Sequence, residues 1–388
     1  MTQGAFDEVS VTELRRRGSY KWRAFPDDIL PAFVAEMDFP LAPPVAAAIV
    51  DAVALGDAGY AWPIQELGEA VSGFLQARFQ WTVEPTDVTL LPDVMVGITE
   101  VLRLAVNPSG GVVINTPVYP PFFNHIVEAG CKVVEAPLAD SPHGYELDFA
   151  TLERAFTSGG GVYLLCNPHN PTGRVFSRSE LERIAELAEL HDVLVLSDEI
   201  HAPLALQGAV HTPFLSLGEY AAERAVAFIS ASKAWNIPGL KCAQVVATSD
   251  ATRALVGRLP EGMGFRAGNL GVIASIAAYR DGSPWLDELL AVLDRNRRLL
   301  GDLLAEHLPA VRYAPPQGTY LAWLDCRGLG LEDEPVDVFR ERGRVALGPG
   351  PKFGAHGTGH VRVTMGTSAG ILRTIVERMR SAVAKAGA

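Results

Sequence analysis

The sequence predicts an α/β protein with a mostly parallel sheet flanked by helices in a large domain, followed by a smaller α/β C-terminal domain. Three observations carry this. Short apolar runs rich in valine, leucine and isoleucine alternate with amphipathic stretches through the middle of the chain. Such runs are uniformly apolar because helices cover both faces of a parallel sheet. The chain has 388 residues, 48% hydrophobic and 20% charged, more than one compact domain usually holds. After Pro284 the rhythm changes, and a second domain is expected from there.

Taken in order, Pro43 and Pro44 open a helix through Ile49 and Val53 that stops near Gly56, since proline suits a first turn and glycine an end. A second helix is expected over 65–79. Strands are expected at 88–91, 112–115, 132–135, 162–166, 193–197 and 226–230, each as short as buried parallel strands usually are. Gly159, Gly160 and Gly161 read as a turn before the fourth of these. The segment 177–190 is a helix with Leu181, Ile184, Ala185, Leu187 and Ala188 on one stripe, and Ser177 with Glu180 makes a capping box. Beyond Pro284 come a long helix over 285–307, strands at 319–324 and 360–364, and a final helix from about Ala369. The expected division is 1–40 as an N-terminal segment packing with the small domain, 41–284 as the large domain, and 285–388 as the small one.

Composition excludes several function classes. A formal net charge of -12 disfavours a nucleic-acid partner, because an acidic surface repels phosphate backbones. The one dense basic run, Arg15, Arg16 and Arg17, reads as a solvated helix face. Cys131, Cys166, Cys242 and Cys326 are widely spaced without a CxxC pair, so neither a disulfide framework nor a metal site is suggested. No signal pattern opens the chain, and no apolar run approaches the ~18 residues of a membrane span, so a cytoplasmic protein is expected.

Chemistry concentrates in four segments. Ser230-Ala-Ser-Lys-Ala-Trp-Asn-Ile-Pro-Gly239 follows a predicted strand directly, which places Lys233 where a chain leaves the sheet into a cleft. Ser230, Ser232 and Lys241 supply hydroxyls and a cation suited to a phosphate. Asn167-Pro-His-Asn-Pro-Thr-Gly173 lies on the loop leaving another strand. In Ser197-Asp-Glu-Ile-His201, Asp198 stands at the carboxyl edge of the sheet, where open α/β sheets bind ligands. His360-Val-Arg-Val-Thr364 carries Arg362, whose planar guanidinium pairs two-pronged with a carboxylate.

Ser-x-Ser-Lys with a later basic residue, the Asn-Pro-x-Asn-Pro-Thr-Gly run and the aspartate between them resemble, in order and spacing, the motifs of the fold-type I aminotransferase-like enzymes that use pyridoxal 5'-phosphate (PLP). The resemblance implies an aspartate aminotransferase-like fold with a large PLP-binding domain. It implies that Lys233 carries the cofactor through an imine, that Asp198 partners the pyridinium nitrogen, and that Asn170 meets the ring oxygen; His201 is a departure, standing where many of these enzymes place a tyrosine against that oxygen, at a position that borders the cofactor. Tyr119 matches the aromatic residue stacked on the ring, and Arg362 the arginine for the substrate α-carboxylate. The phosphate would be met by Ser230, Ser232, Lys241 and the main-chain N–H groups of Val94 and Met95, where a helix opens. Tyr60, in Gly59-Tyr-Ala-Trp62, matches a tyrosine that reaches the phosphate from a neighbouring subunit, implying a homodimer with shared active sites.

The opening segments Phe6-Asp7, Lys21-Trp22 and Phe33-Val-Ala-Glu-Met-Asp-Phe-Pro40 resemble the MalY/PatB group of cystathionine β-lyases, as do His169, Trp235-Asn-Ile-Pro-Gly239 and Pro349-Gly-Pro-Lys-Phe-Gly354. This likeness covers essentially the whole chain. Phe33, Glu36 and Thr364 depart from a pattern of tryptophan, aspartate and asparagine. The group implies β-elimination of L-cystathionine or a related L-cysteine S-conjugate to a thiol, pyruvate and ammonia, with Lys233, Asp198 and Arg362 as the catalytic set. An aminotransferase of an amino acid with a 2-oxo acid is the alternative, since it needs the same three residues; a non-catalytic sensor is the third reading.

Overall fold

The computed structural model describes residues 4–62, 65–107, 110–141 and 144–386. Its larger sheet has seven strands: β1 (Val88–Leu91), β2 (Gly111–Ile114), β3 (Lys132–Glu135), β4 (Gly160–Cys166), β5 (Leu194–Asp198), β6 (Ala225–Ile229) and β7 (Ala243–Val246). Their order across the sheet is β1-β7-β6-β5-β4-β2-β3, and β7 runs antiparallel to both its neighbours while the others pair in parallel. Helices that matter to the site are α1 (Pro43–Ala54), α2 (Gln65–Phe79), α3 (Val94–Ala105), α4 (Arg178–Leu190), α5 (Asn269–Asp281), α6 (Ser283–His307) and α7 (Ala369–Ala386). A second sheet is built from β8 (Arg312–Tyr313), β9 (Leu321–Asp325), β10 (Gly348–Pro349) and β11 (His360–Thr364), in the order β8-β9-β11-β10. The α/β class read from the sequence holds.

Two clusters of buried side chains pack on the larger sheet. One gathers Val113, Tyr163, Leu165, Val195 and Ala227, and the other Val112, Ile114, Leu164, Leu196 and Phe228. Alternate residues of each strand thus enter opposite cores, the period-two consequence of the pleat. The capping box on α4 is present, with Ser177 accepting from the Glu180 N–H.

Several expectations need correction. β7 was not expected from the sequence: its Ala-Gln-Val-Val carries a buried glutamine, which Tyr279 satisfies by donating its hydroxyl to Gln244 Oε1 at 2.9 Å. Gly160 and Gly161 belong to β4, and only Gly159, at φ +106°, turns the chain. A Cβ on Gly160 would lie 2.3 Å from a Val113 methyl, so glycine is what lets the strand begin there. Thr319 stands outside β9 at φ +69° with its hydroxyl accepting from the Leu321 N–H. Arg15 and Arg17 are not a solvated face: Arg15 donates to the Ile29 carbonyl and lies over the Trp22 ring, and Arg17 donates to the Asp38 carbonyl at 2.8 Å. Among the described residues no helix is long and apolar enough to cross a membrane.

Candidate active site

β4, β5 and β6 end on one edge of the sheet, and the loops leaving them line a cleft of about 260 Å³. That edge is where an open parallel sheet leaves room for a ligand. Lys233 reaches it from a single helical turn, Ala231–Ala234, capped by Ser230 directly after β6. Lys233 Nζ donates to the Ala35 carbonyl at 3.2 Å. Enclosure in the cleft, reinforced by the Arg362 cation, pushes its pKa down to about 8.

Asp198 is the last residue of β5, and its carboxylate accepts from the Ile200 N–H at 3.1 Å. Burial pushes it up to about 7 against the opposing attraction of Lys233. Asn170, on the loop after β4, is buried, and its side-chain oxygen accepts from an Arg362 Nη at 3.1 Å. The other Arg362 Nη donates to the Phe33 carbonyl at 2.8 Å, and the guanidinium lies 5.1 Å from the Phe353 ring centre. Burial lowers the Arg362 pKa to about 10, which leaves it a cation at neutral pH. His201 is buried 5.9 Å from the Tyr320 ring, and burial with two nearby cations, Lys233 and Arg362, holds it neutral. Tyr119 closes the same cleft, its hydroxyl pushed up by burial.

The opposite end of the cleft is polar. Val94 and Met95 form the first turn of α3, whose N–H groups have no partner within the helix. Asp93 caps that turn by accepting from the Val96 N–H at 2.9 Å. Lys241, in a left-handed conformation at φ +58°, brings Nζ to 3.2 Å from Asp93 Oδ2. Ser232 lines the same wall.

One expectation, that of Ser230, changes at this end. Ser230 lines the cleft, but its hydroxyl donates to the Cys242 carbonyl at 2.7 Å and accepts from the Ser232 N–H at 3.1 Å, so here it is a cap whose hydrogen points into the protein. Tyr60 is 85% exposed and stands against Phe265, outside the cleft that its own chain forms. His169 holds the asparagine loop's shape, with its ring nitrogens at 3.2 Å from the Asn115 carbonyl and 3.0 Å from the Thr172 hydroxyl.

Sequence reasoning missed the main chain of the N-terminal segment. The carbonyls of Phe33 and Ala35 meet Arg362 and Lys233, and Ala35 also accepts from the Tyr320 hydroxyl at 2.9 Å. Backbone acceptors leave no mark on residue identity, so no signal there pointed to this contact.

These groups fit a phosphorylated pyridine aldehyde. A lysine with a depressed pKa and a buried carboxylate share one cleft, with a helix N-terminus and Lys241 at its far wall. His201 Nδ1 and Arg362 Nε are buried without a hydrogen-bond partner among the described residues, which marks polar positions that a ligand would satisfy. Fold and cleft together define a PLP-dependent enzyme of fold type I.

The chain belongs to the aminotransferase class I and II family, which matches residues 36–379. It is 45% identical to a protein of Mycobacterium leprae named provisionally as a cystathionine β-lyase, over 99% of both chains. It is 34% identical to cystathionine β-lyase PatB of Bacillus subtilis, over 92% of this chain and 93% of that one. Among solved structures it resembles cystalysin of Treponema denticola, which contains PLP, with a TM-score of 0.91 at 28% identity over 96% of this chain and 97% of that one. The likeness to the MalY/PatB group read from the sequence therefore stands.

Proposed function

We propose that the chain is a PLP-dependent carbon–sulfur β-lyase that cleaves L-cystathionine or a related L-cysteine S-conjugate to a thiol, pyruvate and ammonia. The observation that carries this is a low-pKa amine and a buried carboxylate, Lys233 and Asp198, in one cleft, with the two-pronged cation of Arg362 held against its wall through Asn170. The full-length likeness to proteins named as cystathionine β-lyases favours elimination over transamination.

When bound, PLP supplies an electron sink for the pair left behind when a bond at Cα breaks. Lys233 would hold the cofactor and, once substrate had displaced it, would serve as the base for the Cα proton; burial lowers its pKa to about 8, so a fraction of the amine is already neutral near physiological pH. Asp198 would pair with the pyridine nitrogen and favour its protonated form. Arg362 receives the α-carboxylate, oriented by Asn170. Asn170 would meet the ring oxygen, with neutral His201 beside the cofactor, and Tyr119 would cover the ring. Val94, Met95, Ser232, Lys241 and Ser230 would hold the phosphate, with Ser230 acting through the Ser232 N–H that it caps.

The reading extends to assembly. Tyr60, Trp62 and Phe265 form an exposed aromatic cluster, and Val50 and Val53 on α1 and Leu55 just after it are exposed as well. Exposed apolar groups so concentrated suit a second copy of the chain. In that homodimer Tyr60 would reach the partner's phosphate site. We assign residues 1–40 to an N-terminal segment that packs with the small domain, 41–284 to the large domain and 285–388 to the small domain, in a cytoplasmic enzyme. Purified protein supplied with PLP and L-cystathionine, without a 2-oxo acid, is expected to release thiol and pyruvate in equal amounts. Activity that depends on a 2-oxo acid would instead mark a transaminase.

A further inference from the structure

Residues 33–37 cross the mouth of the cleft as a strap tied to both sheets. On the small-sheet side, the Thr364 N–H donates to the Ala32 carbonyl at 2.9 Å and the Asp38 N–H donates to the Gly366 carbonyl at 2.8 Å. Between these anchors the strap lends its Phe33 carbonyl to Arg362 and its Ala35 carbonyl to Lys233 and Tyr320. On the large-sheet side, Asn236 reads both main-chain groups of one strap residue: its Oδ1 accepts from the Met37 N–H at 2.8 Å, and its Nδ2 donates to the Met37 carbonyl at 2.8 Å.

Asn236 stands three residues after Lys233 and holds φ +56°, a left-handed conformation that asparagine tolerates better than most residues. An amide side chain offers a separate donor and acceptor atom that can satisfy both groups of Met37 at once, and asparagine is the shorter of the two amides. The contact of Lys233 with Ala35 must be released before that amine can react. The Asn236 pair involves no reacting atom and can persist throughout.

We propose that Asn236 is a positioning residue that fixes the strap, and with it Arg362, at working distance from Lys233. The proposal rests on the reading that Arg362 receives the substrate α-carboxylate. It assigns Asn236 an effect on substrates bearing that carboxylate and none on the amine chemistry itself.

The test compares L-alanine with ethylamine, which lacks the carboxylate, on the PLP-loaded enzyme, following the change in cofactor absorbance as each binds. Asn236→Gly removes the side chain without straining the left-handed backbone, and Asn236→Asp keeps the acceptor but loses the donor. Both variants are expected to weaken L-alanine binding about tenfold, the worth of roughly one net neutral hydrogen bond, while ethylamine binding stays within twofold. Equal weakening for both ligands, or no weakening of L-alanine, would overturn the proposal. Arg362→Lys is the control on the underlying reading: if it too leaves L-alanine binding unchanged, the carboxylate assignment fails, and Asn236 is not the cause. Neither ligand carries a leaving group, so the result does not depend on lyase activity.

Discussion

Asp198 and Lys233 share one cleft and are displaced toward each other, the carboxyl up to about 7 and the amine down to about 8. Burial is the first cause of both shifts, because each charged form loses water that the cleft does not replace. Their mutual attraction offsets part of that cost without cancelling it. Groups so displaced mark a site arranged for proton transfer near neutral pH.

That relationship sets a pH dependence for loading the enzyme. Cofactor-free protein captures PLP through the neutral amine of Lys233, whose fraction rises about tenfold per pH unit below its pKa. With that pKa at about 8, the capture rate should climb up to about pH 8 and level off above it. An unperturbed lysine would keep gaining to about pH 10.4. Rapid-mixing absorbance from pH 6 to 10 makes the distinction, and a rate still rising steeply at pH 9.5 would contradict the buried assignment. Lys233→Ala should lose the protein-linked absorbance at every pH.

Much of this was legible before any coordinates. Lys233, Asp198, Asn170 and Arg362 lie in four segments separated by up to 192 residues, yet their motifs placed them together, because each stands close after an apolar run or within one. Ser230 was read as a group at the phosphate, but its hydrogen points at the Cys242 carbonyl. Residue type indicates capacity to bond, while the direction of a hydroxyl depends on tertiary neighbours. β7 escaped notice because a buried Gln244 breaks its apolar run, and the strap's role was invisible because carbonyls carry it.

Arg362→Lys should raise KM for an L-cysteine S-conjugate at least tenfold while PLP content stays near one per chain. A lysine ammonium cannot make both contacts that the guanidinium now makes, to Asn170 and to the Phe33 carbonyl, and still present a fork to a carboxylate. Steady-state kinetics with a cofactor titration checks this. An unchanged KM would remove Arg362 from substrate binding.

Lys21 and Asp38 test how firmly the N-terminal segment is held. Lys21 Nζ lies 2.8 Å from Asp38 Oδ1 with both side chains almost fully enclosed, and the Trp22 indole N–H donates to the same carboxylate oxygen at 2.9 Å. Lys21 Nζ also donates to the Glu36 carbonyl at 3.0 Å, which joins the pair to the strap over the cleft. Lys21→Met leaves Asp38 buried without its counterion, a change that costs about 3–5 kcal/mol when a buried pair is broken from one side. A pair exposed to water would cost at most about 1 kcal/mol. Denaturant midpoints of wild type and variant separate the two cases, provided unfolding is followed by two probes, since a chain with two sheets need not unfold in one step. If the loss is of the larger size, KM should rise with it, because the strap that supplies the Phe33 carbonyl to Arg362 loses its anchor at Glu36. A large loss of stability with KM unchanged would mean that the buried pair supports the fold alone and that the strap is held in place from Ala32 and Met37.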